Sequence, residues 1–129
     1  MNCYETLLVV KPTLSDEEIQ AQISKTEEVI KKESGDILVR DDMGMRRLAY
    51  PIQKQERGYY SIIYYKAPAT AIAEIERQLR YNEEILRFMT VRYTNKKEIA
   101  QFEKMVENAK RRSGATSEKA ESETSNSAE

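Results

Sequence analysis

Arginines dominate the side chains of this sequence that can do chemistry. Arg46 and Arg47 stand side by side in the run Gly44-Met45-Arg46-Arg47-Leu48-Ala49-Tyr50-Pro51-Ile52. Farther on, Arg77, Arg80, Arg87, Arg92, Lys96 and Lys97 are opposed within residues 77–97 only by Glu83 and Glu84. A guanidinium is planar, always charged and shaped to grip two oxygens of a phosphate, whereas a lysine ammonium acts as a point charge. That chemistry is recognition of a polyanion, and contacts of this kind fix position without reading sequence. The candidates for it are Arg87, Arg92, Lys96, Lys97, Arg80, Arg46 and Arg47.

Reactive chemistry is absent. The chain has no histidine, which excludes Ser-His and Cys-His dyads and histidine metal sites. Cys3 is the single cysteine, so no internal disulfide can form, and nothing near it in sequence activates a thiol. Asp41-Asp42 is a poor carboxylate dyad, because adjacent strand residues point to opposite faces. It reads as solvated hairpin charge. No glycine-rich phosphate loop is present. Neither an enzyme nor a cofactor, metal or small-molecule substrate is expected.

The bulk charge qualifies the arginine signal. Charged residues make up 33% of the 129, yet the net charge is −1. A simple nucleic-acid binder carries a clear positive excess, so the basic residues must act locally or with help. Residues 113–129 hold Lys119 against Glu118, Glu121, Glu123 and Glu129 and offer almost nothing to bury; they read as an unstructured acidic tail. The first residues lack the basic and apolar regions of a signal peptide. The longest apolar run, Leu7 to Val10, falls far short of the roughly 20 residues a spanning helix needs. A soluble cytoplasmic setting without membrane contact is the simplest expectation.

The elements that must position these residues follow from pattern. Tyr4–Val10 reads as a strand ending at Pro12. Ser15 and Glu18 form a capping box before Ile19, Ile23, Thr26 and Ile30 at helical spacing. Gly35 is placed for a positive φ after that helix. Residues 36–47 read as a second strand, with a bulge at Gly44, and residues 53–58 as the polar hairpin connection. Tyr59–Tyr65 is the clearest strand, and Pro68 ends it. Ile72, Ile75 and Leu79 mark a second helix, with Asn82 at its C-terminus; residues 85–93 give a fourth strand. The order β-α-β-β-α-β predicts an α+β fold, a four-stranded antiparallel sheet with two helices on one face and the other face open.

Parity assigns Leu86 and Phe88 to the helix-covered core, and Arg87, Met89 and Val91 to the open face. Tyr59 and Tyr65 are assigned to that open face as well, as partner contacts. Asn95 and Glu98 cap a third, amphipathic helix over residues 96–112, basic at its end, with Ile99, Phe102, Val106 and Ala109 on one side. That stripe lies beyond a complete domain. Ile99 and Phe102 are therefore candidates for contact with a neighbouring molecule, the favoured reading, while packing of the helix on its own domain stays open as the alternative.

Arg57-Gly58-Tyr59-Tyr60-Ser61-Ile62-Ile63-Tyr64 partly matches the third-strand pattern of RNA-recognition motifs, Lys/Arg-Gly-Phe/Tyr-Gly/Ala-Phe-Val-x-Phe/Tyr. Arg57, Gly58, Tyr59 and Tyr64 agree. Ser61 replaces an aromatic ring that would stack on a base, which weakens a single-strand reader.

The run Gly44 to Ile52, set in the hairpin between the second and third strands of such a domain, resembles the signature of the bacterial small-subunit ribosomal protein six family. Tyr4-Glu5 before an apolar strand, Gly58-Tyr59-Tyr60, and the stretch from Leu79-Arg80 to Ile85-Leu86-Arg87 are similar too. The resemblance spans residues 3–94; Gln53 departs from the Lys, Arg or small residue more usual at that position. It implies a ferredoxin-like domain over residues 1–94, with the helical extension 95–112 and the tail 113–129 outside it. It also implies a structural, non-catalytic part in the small (30S) ribosomal subunit. The implied partners are the central domain of 16S rRNA and small-subunit ribosomal protein eighteen, as a heterodimer. Which residues would touch RNA and which the protein stays open. So do two rival classes, a free single-strand RNA regulator and a small-ligand regulatory domain.

Overall fold

Capping side chains fix where the first and third helices start. Ser15 Oγ accepts from the Glu18 backbone N–H at 3.2 Å, and Glu18 Oε1 accepts from Ser15 N–H at 3.0 Å. Hydrogen bonding from Ser15, its backbone N–H first, holds the Glu18 carboxyl below its ordinary pKa. Asn95 and Glu98 repeat the device before the third helix, at 2.8 and 3.3 Å, and Thr94 N–H also donates to Glu98.

The computed structural model describes the backbone of residues 1–128 and the side chains of residues 1–112. Its elements are β1 (Asn2–Val10), α1 (Asp16–Lys32), β2 (Asp36–Ile52), β3 (Gln55–Ala67), α2 (Ala71–Tyr81), β4 (Ile85–Tyr93) and α3 (Lys96–Ala128). The expected unstructured tail, 113–129, lies outside the residues whose side chains are described. The four strands form one antiparallel sheet in the order β2-β3-β1-β4. This is the predicted ferredoxin-like α+β architecture.

Helices α1 and α2 cover one face. Ile19, Ile23 and Ile30 of α1 and Ala71, Ile75 and Leu79 of α2 pack on Tyr4, Leu8, Val10, Ile63 and Tyr65. Tyr4 and Tyr65 stack with centroids 5.7 Å apart, and the Tyr65 hydroxyl is hydrogen-bonded to Thr6 Oγ1 at 2.9 Å. Burial pushes the Tyr65 phenol up to about 12.

The structure inverts the predicted parity of β3. Tyr65 pairs with Tyr4 and Ile63 with Thr6, so Tyr59, Ser61, Ile63 and Tyr65 face the helices, and Tyr60, Ile62 and Tyr64 face away. The strand misled because both its faces are apolar, and both are apolar because both are covered. Leu86 also changes sides. The pairing with β1 slips between Val9 and Val10, and Leu86 leaves the helix layer to pack with Val9 and Leu48. Phe88 stays on the predicted face.

The opposite face is covered by α3, which corrects the assignment of its stripe to a neighbour. Phe102, Val106 and Ala109 bury themselves on Cys3, Tyr64, Ile62 and Tyr93 of the chain's own sheet, with Leu38 and Val39 at the β2 edge. Phe102 meets Tyr64 edge-on at 6.0 Å and Tyr93 at 5.1 Å. The Tyr93 hydroxyl donates to Glu5 Oε1.

Turns differ in detail. The positive φ after α1 falls on Ser34 (68°) rather than Gly35. Gly35 is instead needed for close approach, since a Cβ there would lie 2.5 Å from Ile30 Cγ2. Gly44 takes φ 86° at the expected bulge. The β2–β3 turn is tighter than predicted, two residues long, with Gln53 at φ 49° and Lys54 at φ 67° between the paired Ile52 and Gln55.

Candidate nucleic-acid interface

The run Gly44 to Ile52 forms an arch rather than a plain strand. Pairing with β3 is regular up to Arg47, which sits opposite Arg57, and resumes only at Ile52. Between them Leu48 turns inward and packs with Val9 and Leu86. Gly58 makes room for Val9 beside it: a Cβ there would collide with Val9 Cγ1, while standing in ordinary contact with Leu48 Cδ2 at 3.7 Å. Tyr50 points outward, 57% exposed, and its hydroxyl accepts from Arg87 Nη1 at 3.0 Å. The arch thus ties β2 to β4 over two intervening strands.

Arg46 and Arg47 are exposed on this arch, and neither has an ion pair among the described residues. They do not brace the hairpin through Asp41 or Asp42. Asp42 accepts from Ser61 Oγ at 2.6 Å and pairs with Arg40 at 3.1 Å; Asp41 pairs with Arg112 at 2.7 Å. Those carboxylates are structural anchors rather than free hairpin charge. Arg40, which sequence reasoning passed over, also pairs with Glu27 at 3.0 Å and donates to Gln20 at 2.7 Å, clamping β2 to α1.

Arg80 and Arg87 come together. They line one open cleft at the corner of α2 and β4, with Gln53 of the β2–β3 turn on its other side. Arg77, one helical turn before Arg80, is otherwise engaged. Its guanidinium makes two hydrogen bonds to Glu74, at 2.9 and 2.7 Å, and lies 5.8 Å from the Tyr81 ring centre. With Gln78, it holds the Glu74 carboxyl down at about 2.

Arg92, Lys96 and Lys97 form a separate group. Arg87 pairs with Val9 and Arg92 with Tyr4, on opposite faces. Five residues of strand place them about 17 Å apart, too far to hold one phosphate. Lys96 and Lys97 are exposed at the start of α3, where the helix dipole is positive and only Glu98 compensates. A bound anion there would be welcome.

The aromatic residues give no platform for stacking bases. Tyr59 and Ser61, which align with the base-stacking positions of the RNA-recognition pattern, face the helix layer. Gln20 Nε2 donates to the Tyr59 hydroxyl at 3.3 Å, and burial raises that phenol. On the other face Tyr64 lies under α3 and Tyr60 packs by Leu48. Of the proposed partner contacts, Tyr65 and Phe102 are fully buried within this chain and offer nothing to a second protein. Tyr59 and Ile99 are half-buried. Met89, 48% exposed, and half-buried Val91 remain on the stretch of sheet that α3 leaves open, beside Leu7.

Comparison with known proteins agrees with this architecture. A family model described as ribosomal protein S6 matches residues 3–92. The small ribosomal subunit protein bS6 of a Sulfurovum species is 54% identical over 124 residues, 96% of this chain and 98% of the relative. Its counterpart in a Nitratiruptor species is 50% identical, over 95% and 96%. A crystal structure of 30S ribosomal protein S6 from Thermotoga maritima superposes with a TM-score of 0.72 at 27% identity, covering 82% of this chain and 97% of that one.

Proposed function

Since the chain belongs to the ribosomal protein S6 family, a family of structural proteins and not of enzymes, we propose that it is a constituent of the bacterial small ribosomal subunit. There it binds the central domain of 16S rRNA jointly with small-subunit ribosomal protein eighteen and supports subunit assembly and translation in the cytoplasm. The observation that carries the reading is kinship along nearly the whole length, α3 included, to small-subunit proteins.

The charge distribution supports joint rather than solitary binding. Phosphate neutralisation supplies most non-specific affinity for nucleic acid. A chain of net charge −1 has little to offer as a whole, but its candidate cations lie in three places: Arg46 and Arg47 on the arch, Arg80 and Arg87 at the α2–β4 corner, and Arg92, Lys96 and Lys97 before and at the start of α3. A basic partner adds the missing positive field. Leu7, Met89 and Val91 give that partner an apolar strip on the sheet, with Arg87 at its margin.

Reconstitution tests this. The chain, the eighteenth small-subunit protein and a central-domain RNA fragment are mixed pairwise and together, and complexes are followed by gel shift. A ternary complex far tighter than either binary one is expected. Equal binding by the chain alone, or no ternary complex, would overturn the proposal.

A further inference from the structure

Resting on that reading, we propose that the cleft between the β2–β3 turn and the α2–β4 corner is the seat of an RNA backbone phosphate, gripped by Arg80 and Arg87 and hydrogen-bonded by Gln53. Gln53, Arg80 and Arg87, from three separate parts of the chain, line it together with Leu79, Ile85, Leu86 and Phe88. Its volume, about 350 Å³, admits a nucleotide unit. An arginine fork suits the phosphodiester oxygens.

The two arginines are held ready rather than used up. Among the described residues neither has an ion pair, although Glu83 and Glu84 are in the same corner. Arg77, one turn away, shows what a committed arginine looks like here. The Tyr50 hydroxyl takes Arg87 Nη1 at 3.0 Å, which orients the guanidinium and leaves its other N–H groups for a ligand. Tyr50 is a positioning residue, set in place by the arch and by the adjoining Pro51.

The turn supplies independent support. Gln53 and Lys54 both have positive φ, where a relaxed two-residue hairpin turn would place Asn-Gly. Backbone held in a sparsely populated region concentrates at ligand-binding positions. Here it puts Gln53 at the cleft. The site is open, which favours a polymer backbone running through it over an isolated nucleotide.

Binding of the central-domain fragment by the chain with its protein partner, measured across a salt series, tests the assignment. Arg80→Gln and Arg87→Gln should each weaken binding about tenfold and flatten the salt dependence by about one unit. Gln53→Ala should weaken binding without changing the slope, because the amide is neutral. Arg87→Lys keeps the charge and the fold while losing the fork; it should weaken binding with the slope intact. Arg77→Gln removes the same charge one turn away and should leave both quantities unchanged. If wild type binds and the cleft variants bind equally well, or if Arg77→Gln flattens the slope as much as Arg87→Gln, the cleft is not the seat. If the wild-type complex fails to bind the fragment at all, the rRNA-binding reading falls and the cleft with it.

Discussion

The two faces of the sheet are built for different ends. Beneath α1 and α2 lies one continuous core running from Tyr4 to Val10 on β1 and from Ile63 to Ala67 on β3. The other face is divided into two smaller clusters, one under α3 around Phe102 and one under the arch around Leu48. The strip left between them, with Leu7, Met89 and Val91, is only partly covered. The same sheet therefore has one face that holds the fold together and one that presents surface. Of the candidate arginines, Arg87 lies on the second face and Arg46 and Arg47 on its arch, whereas Arg80 on α2 and Arg92 lie on the helix-covered side.

The sharpest way to break this contrast is to truncate one side chain on each face. Ile63 is fully buried in the continuous core. Ile63→Ala should cost about 4 kcal/mol, from lost burial plus an unfilled cavity. Chemical denaturation should show a lower midpoint with an unchanged slope, the mark of global destabilisation. A fall in protection limited to one element in hydrogen exchange would refute the idea that this face is a single cooperative unit.

Phe102→Ala is the matched change under α3. Phe102 is equally buried, but its helix has solvent on the far side and can detach. The cost should be nearer 2–3 kcal/mol, at or below the low end for a buried phenylalanine. Hydrogen exchange should speed up along α3 while α1 amides stay protected. Equal loss in both helices would show that the two faces are one unit after all.

Which parts of this contrast could be read from the sequence follows from the range of the interactions. Ser15 with Glu18 and Asn95 with Glu98 cap their helices over three residues, and both caps are legible as written. The element order, and the placing of α1 and α2 on one face of a four-stranded sheet, follow from the alternation of elements; the covering of the other face by α3 does not. Face assignment on β3 was not legible, because a strand covered on both sides carries no polar alternation to mark one of them. Leu86 changed sides through a single slip in register, which periodicity cannot announce. The arginines were visible as a group. Their division was not, since Gln53, Arg80 and Arg87 meet only when the hairpin closes over the α2–β4 corner.

Titration at high pH reads both faces. Tyr65, deep in the continuous core, has its phenol raised from about 10 to about 12 by burial, despite the opposing hydrogen bond to Thr6. The folded state therefore holds a proton that the unfolded state releases. The stability linked to it is whole below pH 10 and is lost as pH rises toward 12. Tyr64 and Tyr93 beside α3 are raised as well, Tyr93 by burial first and then by its bond to Glu5. Denaturation midpoints measured from pH 9 to 12 should fall, and Tyr65→Phe should flatten a distinct part of that fall. An unchanged pH profile in Tyr65→Phe would mean another group carries the linkage.

The smallest expected effect bears most directly on why the two faces differ. Replacing Gln53-Lys54 with Asn-Gly relieves two positive-φ positions in residues that disfavour them, and should stabilise the protein by about 1 kcal/mol. Nothing in the continuous core should respond; the gain should appear as slower exchange at the turn and a slightly higher melting temperature. The same exchange removes the amide at the cleft. A more stable protein that binds the RNA fragment less well in the partner complex is then expected, the usual exchange of stability for a functional site. A stabilised variant with undiminished binding would mean that the turn is strained without serving the ligand. The presenting face would then owe its arginines, but not its hairpin geometry, to RNA.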